Sequence, residues 1–102
     1  MLDATQEALE FVRGKWRAHL ESNRMLVLSL VKELEIIGEA AGKVSDEIRS
    51  QYGAIPWQDI SGMRNRLIHA YFDIDLDVVW STVTKDLPQL KADLEGILSQ
   101  HQ

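Results

Sequence analysis

One segment, residues 61–73, carries the side chains that could do chemistry. Arg64 offers a planar cationic fork for a phosphate, His69 can exchange a proton near neutral pH, and Asn65 can orient an imidazole or a phosphate oxygen. This set suits cleavage of an RNA phosphodiester. The ribose 2′-hydroxyl is an internal nucleophile, so a base, an acid and a cation can suffice without a metal.

The spacing of these residues limits what a helix could bring together. On an ideal helix Asn65 and His69 are neighbours one turn apart. Arg64 and Tyr71 are nearly in register, but Arg64 and His69 lie about 140° apart and need arginine reach, a helix bend or a second chain to converge. One histidine cannot be base and acid at once, so catalysis would favour a two-fold dimer. The pattern alone favours structural roles for these residues, such as surface ion pairs and a helix-end histidine.

Length, composition and charge narrow the class of protein. The chain has 102 residues, 45% of them hydrophobic and 26% charged, which fits a single globular domain over residues 1–102. It has no cysteine, which excludes thiolate chemistry and suits a reducing cytoplasm. The longest apolar run, residues 25–31, is too short to span a membrane, and the acidic start is unlike a signal peptide. With a net charge of −5, binding of nucleic acid would need a local patch such as the basic stretch at residues 13–24.

Apolar residues recur at spacings of three and four, which predicts an all-α fold, a small antiparallel bundle of four or five helices. The longest helix is predicted from a cap at Ser22 or Asn23 to about residue 43. It has apolar residues on two sides, as a central bundle helix or a dimer seam does. A first helix is predicted at about residues 3–18, and Ser45 can cap a short helix.

Two further helices are predicted, and the first of them contains most of the polar segment. The first is predicted to begin at Pro56 or Trp57 and to continue to Tyr71. The second, capped by Asp73 or Asp75, is predicted to run to residue 97 with a bend near Pro88.

Four blocks of the sequence resemble, in order, the HepT-like family of HEPN-fold proteins. The blocks are residues 34–41 (LEIIGEAA), 55–72 (IPWQDISGMRNRLIHAYF), 75–80 (DLDVVW) and 86–90 (DLPQL). Within the second block, Arg64, His69 and Tyr71 match the family pattern of Arg, four residues, His, one residue and Tyr.

The resemblance implies a small helical toxin of a type VII-like toxin–antitoxin pair, acting in the cytoplasm on an RNA such as tRNA or mRNA. It implies a metal-independent endoribonuclease with its site in the cleft of a homodimer, His69 in proton transfer and Arg64 on the phosphate. It further implies that an MntA-type nucleotidyltransferase antitoxin uses ATP to adenylylate Tyr71 and so silences the toxin. The chain itself would need no cofactor and no metal.

Three other residues are candidates for supporting roles. Asn65 follows the family arginine and could orient the imidazole or a phosphate oxygen. Glu39 on the long helix could pair with Arg64 and hold its fork, or could be a solvated glutamate. Arg66 is a candidate contact to the RNA backbone, or else an exposed cation.

Two other functions compete with that of a toxin. A non-catalytic HEPN-fold module that dimerises or binds nucleotide or RNA would have the same fold, and fold alone does not establish activity. A di-iron bundle would need Glu-x-x-His pairs, and none of His19, His69 and His101 has a glutamate three residues before it. The presence of the arginine, the asparagine that follows it, the histidine and the tyrosine together favours the enzyme.

Overall fold

A computed structural model describes residues 1–69 and 73–101, and these residues form helices apart from turns and one isolated bridge. The helices are α1 Leu2–Phe11, α2 His19–Ser22, α3 Arg24–Gly42, α4 Asp46–Gln51, α5 Trp57–Ser61, α6 Met63–Leu67, α7 Leu76–Ser81, a π-helical turn at Thr82–Asp86, and α8 Leu87–Gln100. The all-α class is confirmed. The described helices exceed the predicted four or five mainly because two predicted helices are each divided, one into α5 and α6 and the other into α7, the π turn and α8.

The central helix is α3, which packs against α1, α2, α5, α6 and α7. It begins where Asn23 caps it, with the side-chain oxygen accepting the backbone N–H of Leu26 at 3.0 Å. Its buried stripe has the predicted spacing of three or four residues and comprises Val27, Leu30, Val31, Leu34, Ile37 and Ala41. Helix α3 is therefore the support on which the other elements are positioned.

Gly38 lets α5 approach α3 closely. A Cβ atom at this position would lie 3.1 Å from the backbone oxygen of Ile60, tighter than ordinary van der Waals contact. A glycine inside a helix costs about 1 kcal/mol relative to alanine, and the close packing of the two helices offsets that cost. The approach also brings α6, which follows α5 directly, alongside α3.

The first helix is shorter than predicted. It ends at Phe11 rather than near residue 18, because Gly14 adopts a positive φ of 71° that turns the chain. Trp16, which belonged to the apolar stripe of the predicted helix, is 72% exposed. Its backbone N–H donates to Nδ1 of His19 at 2.8 Å, so the turn continues directly into α2.

The prediction of one helix continuing to Tyr71 is wrong. Gly62 separates α5 from α6, and α6 ends at Leu67 because Ile68 is extended, with φ −122° and ψ 120°. Ile68 forms an antiparallel bridge with Ile74. Ile68 and His69 therefore pair with residues 73–75 instead of adding another turn to α6.

The predicted cap of the last helix is confirmed, but the helix is divided into α7, the π turn and α8. Of its two candidate caps, Asp75 is the one that caps α7, accepting the backbone N–H of Val78 on Oδ1 at 3.1 Å. Near Pro88, where the sequence predicts a bend, the structure has the π turn, which ends two residues before the proline. Pro88 has no N–H to donate one turn back, so an irregular hydrogen-bond pattern just before it has a local cause. Within the two described ranges, no helix is both long and apolar enough to cross a membrane.

Candidate functional site

Arg64 lies on the solvent-facing side of α6 where this helix runs beside α3. Its Nε atom is 3.6 Å from Oε1 of Glu35, and the arginine side chain is 58% exposed. A pair this long and this exposed is worth at most about 1 kcal/mol. Glu35 therefore orients the guanidinium without burying it.

The carboxylate partner of Arg64 differs from the one that the sequence suggested. The sequence offers Glu39 as a candidate to hold the fork, but the structure places Glu35, one turn earlier on α3, beside Nε. Glu39 is exposed and lines the same cleft as Arg64. The two glutamates are four residues apart and lie on one face of the helix, so the sequence identified the correct face but the wrong turn.

The cleft beside Arg64 has a volume of about 310 Å³ and opens to solvent. Its polar lining consists of Lys32, Glu35 and Glu39 from α3, Ser61 from α5 and Arg64 from α6. Two cations and two carboxylates thus face one opening. A bound phosphate would have two cationic groups, Lys32 and Arg64, within the cleft.

Arg66 and Asn65 are not brought to this lining. Arg66 donates from a terminal nitrogen to the backbone oxygen of Asp59 at 3.1 Å and lines a different cavity, between α5, α6 and the last helix. Asn65 is exposed on α6. Its predicted position one turn from His69 does not exist, because α6 ends before the histidine.

His69 lies two residues beyond the end of α6 and is held by the segment that begins α7. Its backbone N–H donates to the oxygen of Asp73 at 2.8 Å, and the N–H of Asp75 donates to the oxygen of Leu67 at 2.8 Å. The Nε2 atom of its ring is 3.3 Å from Oδ2 of Asp75. The ring is 57% exposed, so solvent or a ligand can reach it.

Asp75 has its pKa lowered by its contacts. The backbone N–H of Val78 has the largest effect and the ring of His69 the next, since both stabilise the ionised carboxylate. Asp75 is therefore an ionised acceptor at neutral pH.

Arg64 and His69 are held by different elements. Arg64 pairs with α3 and His69 with the cap of α7, and His69 is not among the residues that line the arginine cleft. Tyr71, the expected site of modification, lies outside the described residues. Across residues 1–69 and 73–101, no group of three histidine, aspartate or glutamate side chains is arranged to hold a metal ion.

Sequence reasoning missed Glu35 as the partner of Arg64, and it missed the contact that Asp75 makes with His69 in addition to its role as a helix cap. Glu35 had a signal, since it precedes Glu39 by one helical turn in the same block. Asp75 was expected as a cap only. Its contact to His69 could not be foreseen while the histidine was placed on a continuous helix.

A family model and several known proteins match this chain over nearly its whole length. The family model described as Ribonuclease HepT-like matches residues 1–97. A protein of Caldanaerobacter subterraneus subsp. tengcongensis, named as an inferred RNase, is 32% identical over 102 residues, which is all of this chain and 91% of that protein. An inferred RNase of Methanocaldococcus jannaschii is 33% identical over 95 residues, 93% of this chain and 87% of that protein.

A third relative, from Thermococcus cleftensis, is named as a probable ribonuclease HepT. It is 42% identical over 69 residues, which is 68% of this chain and 63% of that protein. No solved structure matches the chain.

Proposed function

We propose that the chain, which belongs to the HepT-like ribonuclease family, is an endoribonuclease that cleaves RNA without a metal ion. One observation carries the proposal. Arg64 and His69, at the two ends of α6, are both exposed, and each lies beside a carboxylate. A cation and a proton-exchanging ring are thus available to an RNA phosphate and its neighbouring ribose hydroxyl.

The roles follow from the chemistry of the two side chains. His69 takes the proton of the ribose 2′-hydroxyl, which then attacks the adjacent phosphorus, and general base catalysis of this kind contributes about 10²- to 10⁴-fold. Arg64 stabilises the additional negative charge on the phosphate oxygens in the transition state. The expected products carry a 2′,3′-cyclic phosphate on one fragment and a 5′-hydroxyl on the other.

A homodimer would complete this site, because one ring cannot serve both proton transfers in the same step. The outward face of α3 supports such an assembly, since it exposes three large apolar side chains, Met25, Leu28 and Ile36. Met25 is 80% exposed, which is far more than a side chain of this type usually is in a monomer. Lys32 and Glu39 lie on the same face, so contact through it would bring two arginine clefts near each other.

Regulation by an antitoxin belongs to the same proposal. An MntA-type nucleotidyltransferase would use ATP to adenylylate Tyr71 in the cytoplasm. Tyr71 follows His69 by two residues in the sequence, so an added nucleotide would obstruct the access of RNA to the ring.

A non-catalytic RNA- or nucleotide-binding module is the second candidate. The observation that favours it is the separation of the two side chains, since His69 does not line the cleft of Arg64 within one chain. Such a module would bind a phosphate at Lys32 and Arg64 without cleaving it.

The deciding experiment is cleavage of total RNA and tRNA in EDTA by protein shown by mass spectrometry to be unmodified at Tyr71. His69→Ala is compared with His101→Ala, whose ring contacts Tyr52 at the far end of α8. Cleavage lost in the first variant, kept in the second and leaving cyclic phosphate ends is the expected result. Cleavage by the His69 variant would contradict the mechanism, and binding without cleavage by the unmodified wild type would favour the module.

A further inference from the structure

Two short main-chain segments fix His69 and Asp75 relative to each other. The N–H of His69 donates to the oxygen of Asp73, the N–H of Asp75 donates to the oxygen of Leu67, and Ile68 bridges Ile74 between them. These contacts lie on both sides of the bridge. The ring and the carboxylate therefore meet on a frame that does not depend on either side chain.

The carboxylate of Asp75 divides its two oxygens between two tasks. Oδ1 accepts the N–H of Val78 at the start of α7, and Oδ2 faces Nε2 of His69 at 3.3 Å. Because the cap fixes Oδ1, rotation of the carboxylate is restricted and Oδ2 stays directed at the ring. The neighbouring carboxylate of Asp77 contacts Arg17 instead of the ring, with Oδ1 2.9 Å from Nε and 2.8 Å from a terminal nitrogen of the arginine.

The ionised state of Asp75 determines the tautomer of the ring. An ionised carboxylate only accepts hydrogen bonds, so the nitrogen that faces it must carry the hydrogen. A neutral imidazole has one N–H, which places it on Nε2 and leaves the lone pair on Nδ1.

We propose that Asp75 is the positioning residue of His69, holding Nε2–H toward itself so that Nδ1 is the atom that exchanges the proton with RNA. The proposal rests on the proposed ribonuclease function. In the step that forms the cyclic phosphate, the 2′-hydroxyl proton passes to Nδ1 and the 2′-oxygen bonds to phosphorus. The P–O5′ bond breaks with its electron pair on O5′, which takes a proton from the protonated ring of a second copy or from water. Asp75 remains ionised and gives up no proton.

The test uses a substitution that separates the two tasks of Asp75. Asp75→Asn keeps an oxygen for the N–H of Val78, and asparagine caps helices as well as aspartate does. Its amide NH₂ then faces Nε2 as a donor, so the ring should change to the tautomer with hydrogen on Nδ1. Asp77→Asn is the matched control, because Asp77 lies in the same turn and contacts Arg17 instead of the ring.

Two readouts decide the outcome on the unmodified full-length protein. With an RNA oligonucleotide as substrate, Asp75→Asn should lower kcat at least about tenfold with KM within about twofold, as loss of an orienting carboxylate does elsewhere. Asp77→Asn should leave both constants within about twofold. Long-range ¹H–¹⁵N correlation spectra should show Nε2–H for His69 in the wild type and Nδ1–H in the Asp75 variant, with His69→Ala assigning the signals among the three histidines.

A wild-type ring with its hydrogen on Nδ1 would overturn the proposal, whatever the activity. So would an Asp75→Asn variant that keeps both the wild-type kcat and the wild-type tautomer. If the wild type cleaves no RNA, the ribonuclease function fails separately, and the tautomer spectra still decide whether Asp75 positions the ring.

Discussion

Arg64 and His69 are held at the two ends of one short helix by different means. At the arginine end, α6 and α5 pack against α3, and the contacts join residues far apart in the sequence, such as Gly38 and Ile60. At the histidine end, the contacts are main-chain hydrogen bonds and a helix cap between residues 67–69 and 73–78. Helix packing therefore sets the position of the cation, and local backbone pairing sets the position of the ring. Substitutions that loosen the helix packing should therefore displace Arg64, and substitutions that remove the cap should displace His69.

The largest effect expected from this comparison is on catalysis at the arginine end. Arg64→Ala should lower kcat by about 10²- to 10³-fold, because a preorganised donor to the transition-state charge is lost. Thermal stability should change little, since the side chain is exposed. Steady-state cleavage assays and thermal melts measure the two quantities.

Arg66→Ala is the matched control, two residues away on the same helix. We expect a change of about threefold or less, because Arg66 is exposed and lines a different cavity. Equal losses in the two variants would mean that charge on α6 matters without regard to its position.

The next effect tests the packing that supports the arginine. Gly38→Leu should lower the free energy of unfolding by about 2–3 kcal/mol, because the new side chain meets the backbone of Ile60 and must push α5 away. Urea denaturation measures this change. Gly96→Ala is the control, since a Cβ there meets no atom within 4 Å, and it should stabilise α8 by about 0.5–1 kcal/mol.

A smaller effect distinguishes the two glutamates of the cleft. Glu35→Gln should lower kcat/KM by about three- to fivefold, the size expected when an exposed orienting ion pair is lost. Glu39→Gln should have less effect, because it lines the cleft without being the ion-pair partner. A larger loss for Glu39 would show that RNA binding rearranges the pair toward the sequence-based prediction.

A further effect, on stability alone, concerns the opposite side of α3, away from both ends of the site. Glu33 is buried there, and its pKa is raised by loss of hydration and by the nearby Glu7 carboxylate. Folding therefore favours the protonated form of Glu33. The stability that this protonated carboxyl contributes is fully present below its ordinary pKa of 4.5, and it is lost as pH rises through the raised pKa of the folded state. Glu33→Gln should thus stabilise the protein by about 1 kcal/mol near neutral pH.

Denaturation of the wild type and this variant between pH 7 and pH 4 checks the sign. The advantage of glutamine should shrink as pH falls, because the wild-type carboxyl becomes neutral as well. An advantage independent of pH would assign the effect to packing instead of charge.

The sequence predicts the arginine end of the site better than the histidine end. Helix α3 has a strong cap at Asn23 and an unbroken apolar spacing, and Gly38 within it indicated a close helix contact. These are local signals, and the packing in the structure agrees with them. Even here the choice between Glu35 and Glu39 required the position of α6, which no spacing within α3 contains.

The end of α6 could not be predicted because nothing in its own residues marks it. Leu67 and Ile68 continue a helical apolar pattern, and the groups that stop the helix belong to Asp73 and Asp75, further along the chain. The prediction for the first helix was wrong although the residue that ends it lies within the predicted range. Gly14 was visible as a weak point, but a glycine inside a helix does not by itself show that the chain turns.

Because of the turn at Gly14, two tryptophans of the molecule lie in different environments and should differ in their fluorescence. It leaves Trp16 at the surface, whereas Trp57 is buried where α5 packs on α3. Emission from Trp16 should be red-shifted and readily quenched by acrylamide, and emission from Trp57 should be blue-shifted and protected. A variant with both Trp16→Phe and Trp80→Phe would keep Trp57 as its single tryptophan, so loosening of α5 from α3 could be followed without an added label.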